Sequence, residues 1–248
     1  MKSKVAVGSL VLLLVLGAAT AGALGYEIAG TVTNPDLKMD GVAWDGKNIW
    51  VITYQSSPLK WEIVKLDDSG EVLSSFPVPV DSLDDIHNFG MTNITCDRRT
   101  IWANHWNEGK IYNFTKDGKI RKAFGVPSVN QLIPVGIAFD GKDLWVLHWS
   151  NKTLYHLDTN GRELGSVSLR RLSPPPDMGM AWDGKYFWVA NKGANRIHRI
   201  TPEGEQVGMI KGPKDGGGIR DLDWDGEHLL LVYQQDSTVY KLKILEDD

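Results

Sequence analysis

The chain has 248 residues, 42% of them hydrophobic and 23% charged, a balance that supports a packed core and excludes wholesale disorder. Its 27 basic residues are outnumbered by 31 acidic ones, so the surface exerts no general pull on nucleic acid or anionic lipid, and no nucleic-acid partner is expected. The single cysteine, Cys96, excludes an internal disulfide, and stability has to come from packing.

In chain order, Lys2 and Lys4 precede an uncharged run from Val5 to Tyr26, with small residues at Ala19, Ala21 and Ala23 that offer A-x-A cleavage sites. Residues 1–23 read as a signal peptide, or as an uncleaved membrane anchor, since the run is just long enough to span a bilayer. Either way the remainder is expected outside the cytoplasm, secreted or anchored, touching a membrane only through an uncleaved N-terminal segment.

From there on the chain repeats. The stretches "GVAWDGKNIWVITYQ" from Gly41, "GIAFDGKDLWVLHWS" from Gly136 and "GMAWDGKYFWVANKG" from Gly179 are three copies of one unit. Aligned on the first aspartate, five copies place Asp45, Asp97, Asp140, Asp183 and Asp225 at spacings of 52, 43, 43 and 42 residues, the period of a propeller blade. Each copy predicts an apolar first strand, a hairpin at the aspartate, Asp-Gly in four copies and thus suited to positive φ, and a second apolar strand. A third strand alternates at period two ("EIVKL", "KIYNF", "TLYHL", "RIHRI", "TVYKL"), and a fourth follows a turn glycine at Gly70, Gly118, Gly161 or Gly204.

The fifth copy lacks a fourth strand and ends at "KILEDD", while "GYEIAGTV" at the N-terminus matches the fourth strands of copies three and four. The expected fold is therefore all-β: a five-bladed β-propeller of four-stranded antiparallel blades over residues 25–248, its last blade closed by the N-terminal strand, which removes open sheet edges. A monomer is expected. Trp44, Trp182 and Trp224 before the aspartate, and Trp50, Trp102, Trp145 and Trp188 in the second strand, recur as blade-to-blade core; Cys96 stands in the first of these columns and reads as a small hydrophobe.

These "G-x-A-x-D-G…LWV" copies resemble β-propeller repeats of the NHL and YVTN type, found also in streptogramin lyase-like, gluconolactonase-like and glutamine cyclotransferase-like proteins. The resemblance spans nearly all of residues 25–244 and implies the architecture; it implies no single activity, because unrelated functions share this scaffold.

A functional site is expected on the disc face where first strands begin and second strands end, here called the ring face. Three places beyond the second-strand Trp or Leu stand Thr53, His105, His148, Asn191 and Tyr233, a polar column that five-fold symmetry arranges around the channel mouth. In the first strand, Asn93, Asp221 and Asp223 replace the small residues that a narrow axis favours. Two carboxylates with amides and imidazoles suit acid–base work or a hard divalent cation, calcium or magnesium, with Asp221, Asp223 and Asn93 as ligands; a polar, hydrated channel lining is the structural alternative. Beside the ring, Tyr54, Trp106 and Trp149 form either a platform for ligands or packing onto the next blade.

The other polar features carry less. His156 falls in a strand column read as solvent-facing, His198 takes the place of a tyrosine, and His228 lies in a turn. His87 with Asp81, Asp84 and Asp85 reads as a solvated acidic loop or a lid, and sequons occur at Asn93, Asn113 and Asn151. With no nucleophile–base motif, phosphate loop or strong metal signature, the sequence favours an exported binding module for a small ligand, glycan or cell-surface protein. A metal-assisted lyase or lactonase, or a cyclotransferase, is the alternative.

Overall fold

The structure is a computed structural model and describes residues 23–56, 59–78, 90–126, 133–234 and 236–246. The expected leader and the acidic loop with His87 lie outside the described residues.

Strand β1 (Gly25–Thr33) is followed by four hairpin-connected sheets. Blade one holds β2 (Met39–Trp44), β3 (Ile49–Ser56), β4 (Leu59–Leu66) and β5 (Val72–Pro77); blade two holds β6 (Met91–Cys96), β7 (Thr100–His105), β8 (Lys110–Thr115) and β9 (Ile120–Gly125). Blade three holds β10 (Pro134–Phe139), β11 (Leu144–His148), β12 (Thr153–Leu157) and β13 (Glu163–Ser168). Blade four holds β14 (Met178–Trp182), β15 (Phe187–Asn191), β16 (Arg196–Ile200) and β17 (Gln206–Lys211). The last sheet is ordered β1, β20 (Thr238–Leu245), β19 (Leu229–Tyr233), β18 (Ile219–Trp224).

The N-terminal strand pairs antiparallel with the C-terminal one, from Gly25 opposite Leu245 to Thr33 opposite Thr238. Just before it, the Leu24 amide donates to the Met209 carbonyl at 2.9 Å, so the chain also touches the outer edge of blade four. First strands of neighbouring blades contact one another around the axis, and the apolar core fills the wedges between blades.

Small residues let these inner strands approach. A Cβ on Gly179 would stand 2.5 Å from the Asp221 Cα, so that place in β14 has room for glycine alone.

On the far face the aspartate and tryptophan columns are parts of one device. Asp45 Oδ1 accepts from the amides of Lys47 and Asn48 at 3.0 and 2.8 Å, capping the hairpin, while Oδ2 accepts from Trp50 Nε1 at 2.9 Å. Asp97, Asp140 and Asp183 repeat this with Trp102, Trp145 and Trp188 at 2.8–3.0 Å, and in blade five, where Leu230 replaces the tryptophan, His228 Nδ1 takes its place beside Asp225 at 3.1 Å. The hairpin position after the aspartate needs positive φ. Glycine supplies it in four blades, and Arg98 adopts φ 68° in blade two.

The column expected to face solvent instead covers these rings. Lys65 lies 5.6 Å from the Trp50 ring centre, Arg199 lies 5.4 Å from that of Trp188, and His156 stacks on Trp145 at 4.2 Å with planes 3° apart. Asn113 of the same column is buried, its amide donating to Thr100 Oγ1 at 2.7 Å. The edge of a tryptophan inside a blade is closed by aspartate, leaving a flat face that a cationic or aromatic side chain covers. That packing, unlike strand alternation alone, decides the column's exposure.

Candidate functional site

The polar column lies under the ring face. Thr53, His105, His148, Asn191 and Tyr233 are 2–8% exposed. Three of them play the same local role: His105 Nδ1, His148 Nδ1 and Asn191 Oδ1 accept from the amide three residues on, at Glu108 (3.3 Å), Asn151 (3.3 Å) and Ala194 (2.7 Å). Each therefore caps the tight turn that joins the second and third strands, which explains why the column is always polar yet free to change its chemistry. Burial, and next the positive charge of Lys152, hold the His148 imidazole below its ordinary pKa. Tyr233 reaches further: its hydroxyl accepts from the Lys214 amide at 2.9 Å and donates to Asn195 Oδ1 at 3.1 Å, and burial pushes its pKa up.

The first-strand departures sit on the axis itself. Asp221 Oδ2 accepts from the amides of Val42 at 3.1 Å and Ile94 at 3.0 Å, tying blade five to the inner strands of blades one and two. Asn93 donates to the Arg220 carbonyl at 2.9 Å and accepts from Thr92 Oγ1 at 3.0 Å. Both residues are fully buried, so they close the axis at this level. Two residues on, Asp223 Oδ2 accepts from the Trp44 amide at 2.6 Å.

Burial dominates the ionisation of both acids. It pushes Asp221 well above the usual carboxylate range against the pull of the Ile94, Asn93 and Val42 donors, and lifts Asp223 to about 7 despite the Trp44 and Trp224 amides. Asp221 Oδ2, Asp223 Oδ2 and the Asn93 carbonyl each accept a backbone or hydroxyl donor, Asp221 Oδ1 is buried with no hydrogen-bond partner, and among the described residues no three His, Cys, Asp or Glu side chains gather around a common point.

The residues that do reach the surface are the aromatics. Trp149 is 41% exposed, the only exposed aromatic among the described residues. Trp106, half-buried against the core, lies beside it with ring centres 6.2 Å apart and planes tilted by 48°. Lys152 lies 5.4 Å from the Trp149 ring centre. Trp106 therefore packs inward, whereas Trp149 faces outward. Tyr54 packs on buried Trp61 with ring centres 5.2 Å apart.

Sequence reasoning missed the column one residue before the leading position: Asp40, Thr92, Val135, Met178 and Arg220. A bulge in the pairing of first and second strands falls on this column in blades one, two, three and five, and one residue later, at Gly179, in blade four, displacing the strict alternation. The Arg220 guanidinium is 3% exposed; Nη1 lies 3.8 Å from Met178 Sδ and Nη2 lies 3.7 Å from Asp40 Oδ2. Around it stand Lys192, whose ammonium pKa is lowered by burial and by Arg220, and Asp177, which accepts from the Lys192 amide at 2.8 Å. The opposite charges of Asp40 and Arg220 in one column were the available signal.

No protein-family model matches the chain, and no curated protein matches its sequence. Among solved structures it is similar to Myxococcus xanthus glutaminyl cyclase, with a TM-score of 0.71 and 10% identity over 92% of this chain and 100% of that one. It is also similar to a catalytically inactive virginiamycin B lyase from Staphylococcus aureus with quinupristin (TM-score 0.52, 19% identity, 86% of this chain and 68% of that one). A chain of a nidogen/laminin complex matches with a TM-score of 0.53 and 18% identity over 79% of this chain and 73% of that one. At these identities the likeness is one of fold, and the fold hosts both enzymes and assembly partners. By architecture, the chain is a five-bladed β-propeller of four-stranded antiparallel blades.

Proposed function

We propose that the protein is an exported binding module that presents its ring face to a small ligand, glycan or protein partner. The observation that carries this reading is the Trp106–Trp149 pair: two adjacent blades place their indoles side by side, and Trp149 keeps 41% of its surface in water. An exposed indole braced from behind by a second one, with the Lys152 ammonium nearby, is a preformed stacking surface that loses little side-chain freedom on binding. On the far face, Trp50, Trp102, Trp145 and Trp188 offer no equivalent, because their rings are edge-bonded to aspartates and covered by Lys65, Lys122, His156 and Arg199.

The enzyme alternative, a lyase, lactonase or cyclotransferase at the channel mouth, has less support. Its best acid, Asp221, has its Oδ2 committed to two backbone amides.

An immobilised-glycan array probed with the wild-type protein and with Trp149→Ala tests this reading. A glycan signal that falls at least about tenfold in the variant fits the loss of one stacked indole. Signals unchanged in both Trp149→Ala and Trp106→Ala would contradict the platform.

A further inference from the structure

The Arg220 guanidinium is buried with few partners: an ion pair with Asp40 and a hydrogen bond to Met178 Sδ. It is almost wholly buried at the ring-face end of the axis, yet among the described residues no protein oxygen lies within hydrogen-bond distance; its nearest carboxylate oxygen, on Asp40, is 3.7 Å away and its Nε has no partner. A buried guanidinium carries five N–H donors and a full charge, and leaving them unmade is costly. A second buried atom without a partner, Asn104 Oδ1, is linked to Arg220 by a chain of bonds: the Asn104 amide donates to Thr92 Oγ1, Thr92 Oγ1 to Asn93 Oδ1, and the Asn93 amide to the Arg220 carbonyl.

We propose that Arg220 is the anchor of a carboxylate-binding subsite at the channel mouth, taking the carboxylate of a small organic acid. The inference rests on the ring face being a binding face and names the chemistry that its centre recognises. A planar guanidinium fork matches the two oxygens of a carboxylate, and the charge-assisted bonds replace those that the fold leaves out. Lys192 adds a second cation close enough for Arg220's charge to lower its ammonium pKa, and its Nζ is held by Gln234 Oε1 at 2.5 Å. Val135 and Met178 occupy the same column in blades three and four and are buried and apolar. The rest of the column is thus part apolar, at Val135 and Met178, and part polar, at Asp40 and Thr92, and the apolar part favours a carboxylate on an apolar or aromatic stem over a compact, fully hydrated inorganic anion.

The deciding experiment is thermal unfolding of the full chain at fixed ionic strength with sodium benzoate, phenylacetate and succinate, and with benzamide, phenylacetamide, sodium phosphate and sodium chloride as controls. At about ten times Kd a carboxylate should raise Tm by about 3 °C, whereas the amides and chloride should not. Arg220→Lys keeps a cation beside Asp40 and should fold, but should weaken carboxylate affinity about tenfold or more; Arg220→Met, which leaves Asp40 without that cation, should lose stability and abolish the shift. Trp149→Ala should keep the shift for succinate, so failure of the aromatic platform and failure of this subsite are separable. No carboxylate shift, an equal shift from phosphate or from the amides, or a shift that survives in Arg220→Met would overturn the proposal.

Discussion

Asp223 provides a pH-dependent test of how the axis is built. Its carboxyl is buried against blade one, with Oδ2 receiving the Trp44 amide at 2.6 Å, and burial lifts its pKa from 3.8 to about 7. A carboxyl that holds its proton more tightly folded than unfolded stabilises the fold most below its unfolded pKa, and that stabilisation is lost as pH rises through the folded value. The loss here runs between about pH 4 and pH 7 and totals about 4 kcal/mol, of which about 3 kcal/mol falls between pH 5 and pH 8. Asp223→Asn keeps an oxygen for the Trp44 amide and removes the ionisation. Urea unfolding of both proteins at pH 5 and pH 8 isolates the effect, because Asp221 and every other titrating group are common to the pair. Relative to wild type, the variant should gain about 3 kcal/mol on going from pH 5 to pH 8. A difference between the two proteins that stays constant within about 0.5 kcal/mol across that range would refute the buried-acid account of Asp223.

Two further outcomes follow from geometry. Gly179→Ala forces a Cβ to within 2.5 Å of the Asp221 backbone and should cost about 3 kcal/mol or more in chemical unfolding, whereas Gly165→Ala, with nothing within 4 Å, should change stability by under about 1 kcal/mol. Asp183→Ala removes the cap on the Lys185 and Tyr186 amides and the partner of Trp188 Nε1, and should cost roughly 2–3 kcal/mol, read as a fall in urea midpoint at unchanged slope.

The sequence carried the architecture because blades repeat it. Five aspartates at near-equal spacing, a turn glycine before each fourth strand and an orphan fourth strand at the N-terminus were enough to count the strands and to place β1 against β20. The aspartate and tryptophan columns were also visible, but their hydrogen bond was not anticipated, although a constant five-residue offset carried it. The site was less legible for two physical reasons. A polar residue in a fixed column reads equally well as a ligand or as a turn cap, and only the bonds from His148 to the Asn151 amide and from Asn191 to the Ala194 amide separate the two. The bulge between Ile219 and Asp221 breaks the period-two count at the residue that matters, so Arg220 escaped a column-by-column reading. Burial decided the sequons as well: the amides of Asn93 and Asn113 donate inside the protein, and Asn151 is the one of the three that is half-exposed, with its amide on the Tyr155 hydroxyl at 3.0 Å.

The central claim is that ligands meet the ring face, and fluorine NMR of the protein labelled with 5-fluorotryptophan tests it residue by residue. The chain has ten tryptophans, and single Trp→Phe variants assign the resonances. Titration with a hit from the glycan array or with sodium phenylacetate should move the Trp149 and Trp106 signals and leave those of Trp50, Trp102, Trp145 and Trp188 in place. Shifts confined to the four far-face tryptophans would contradict it.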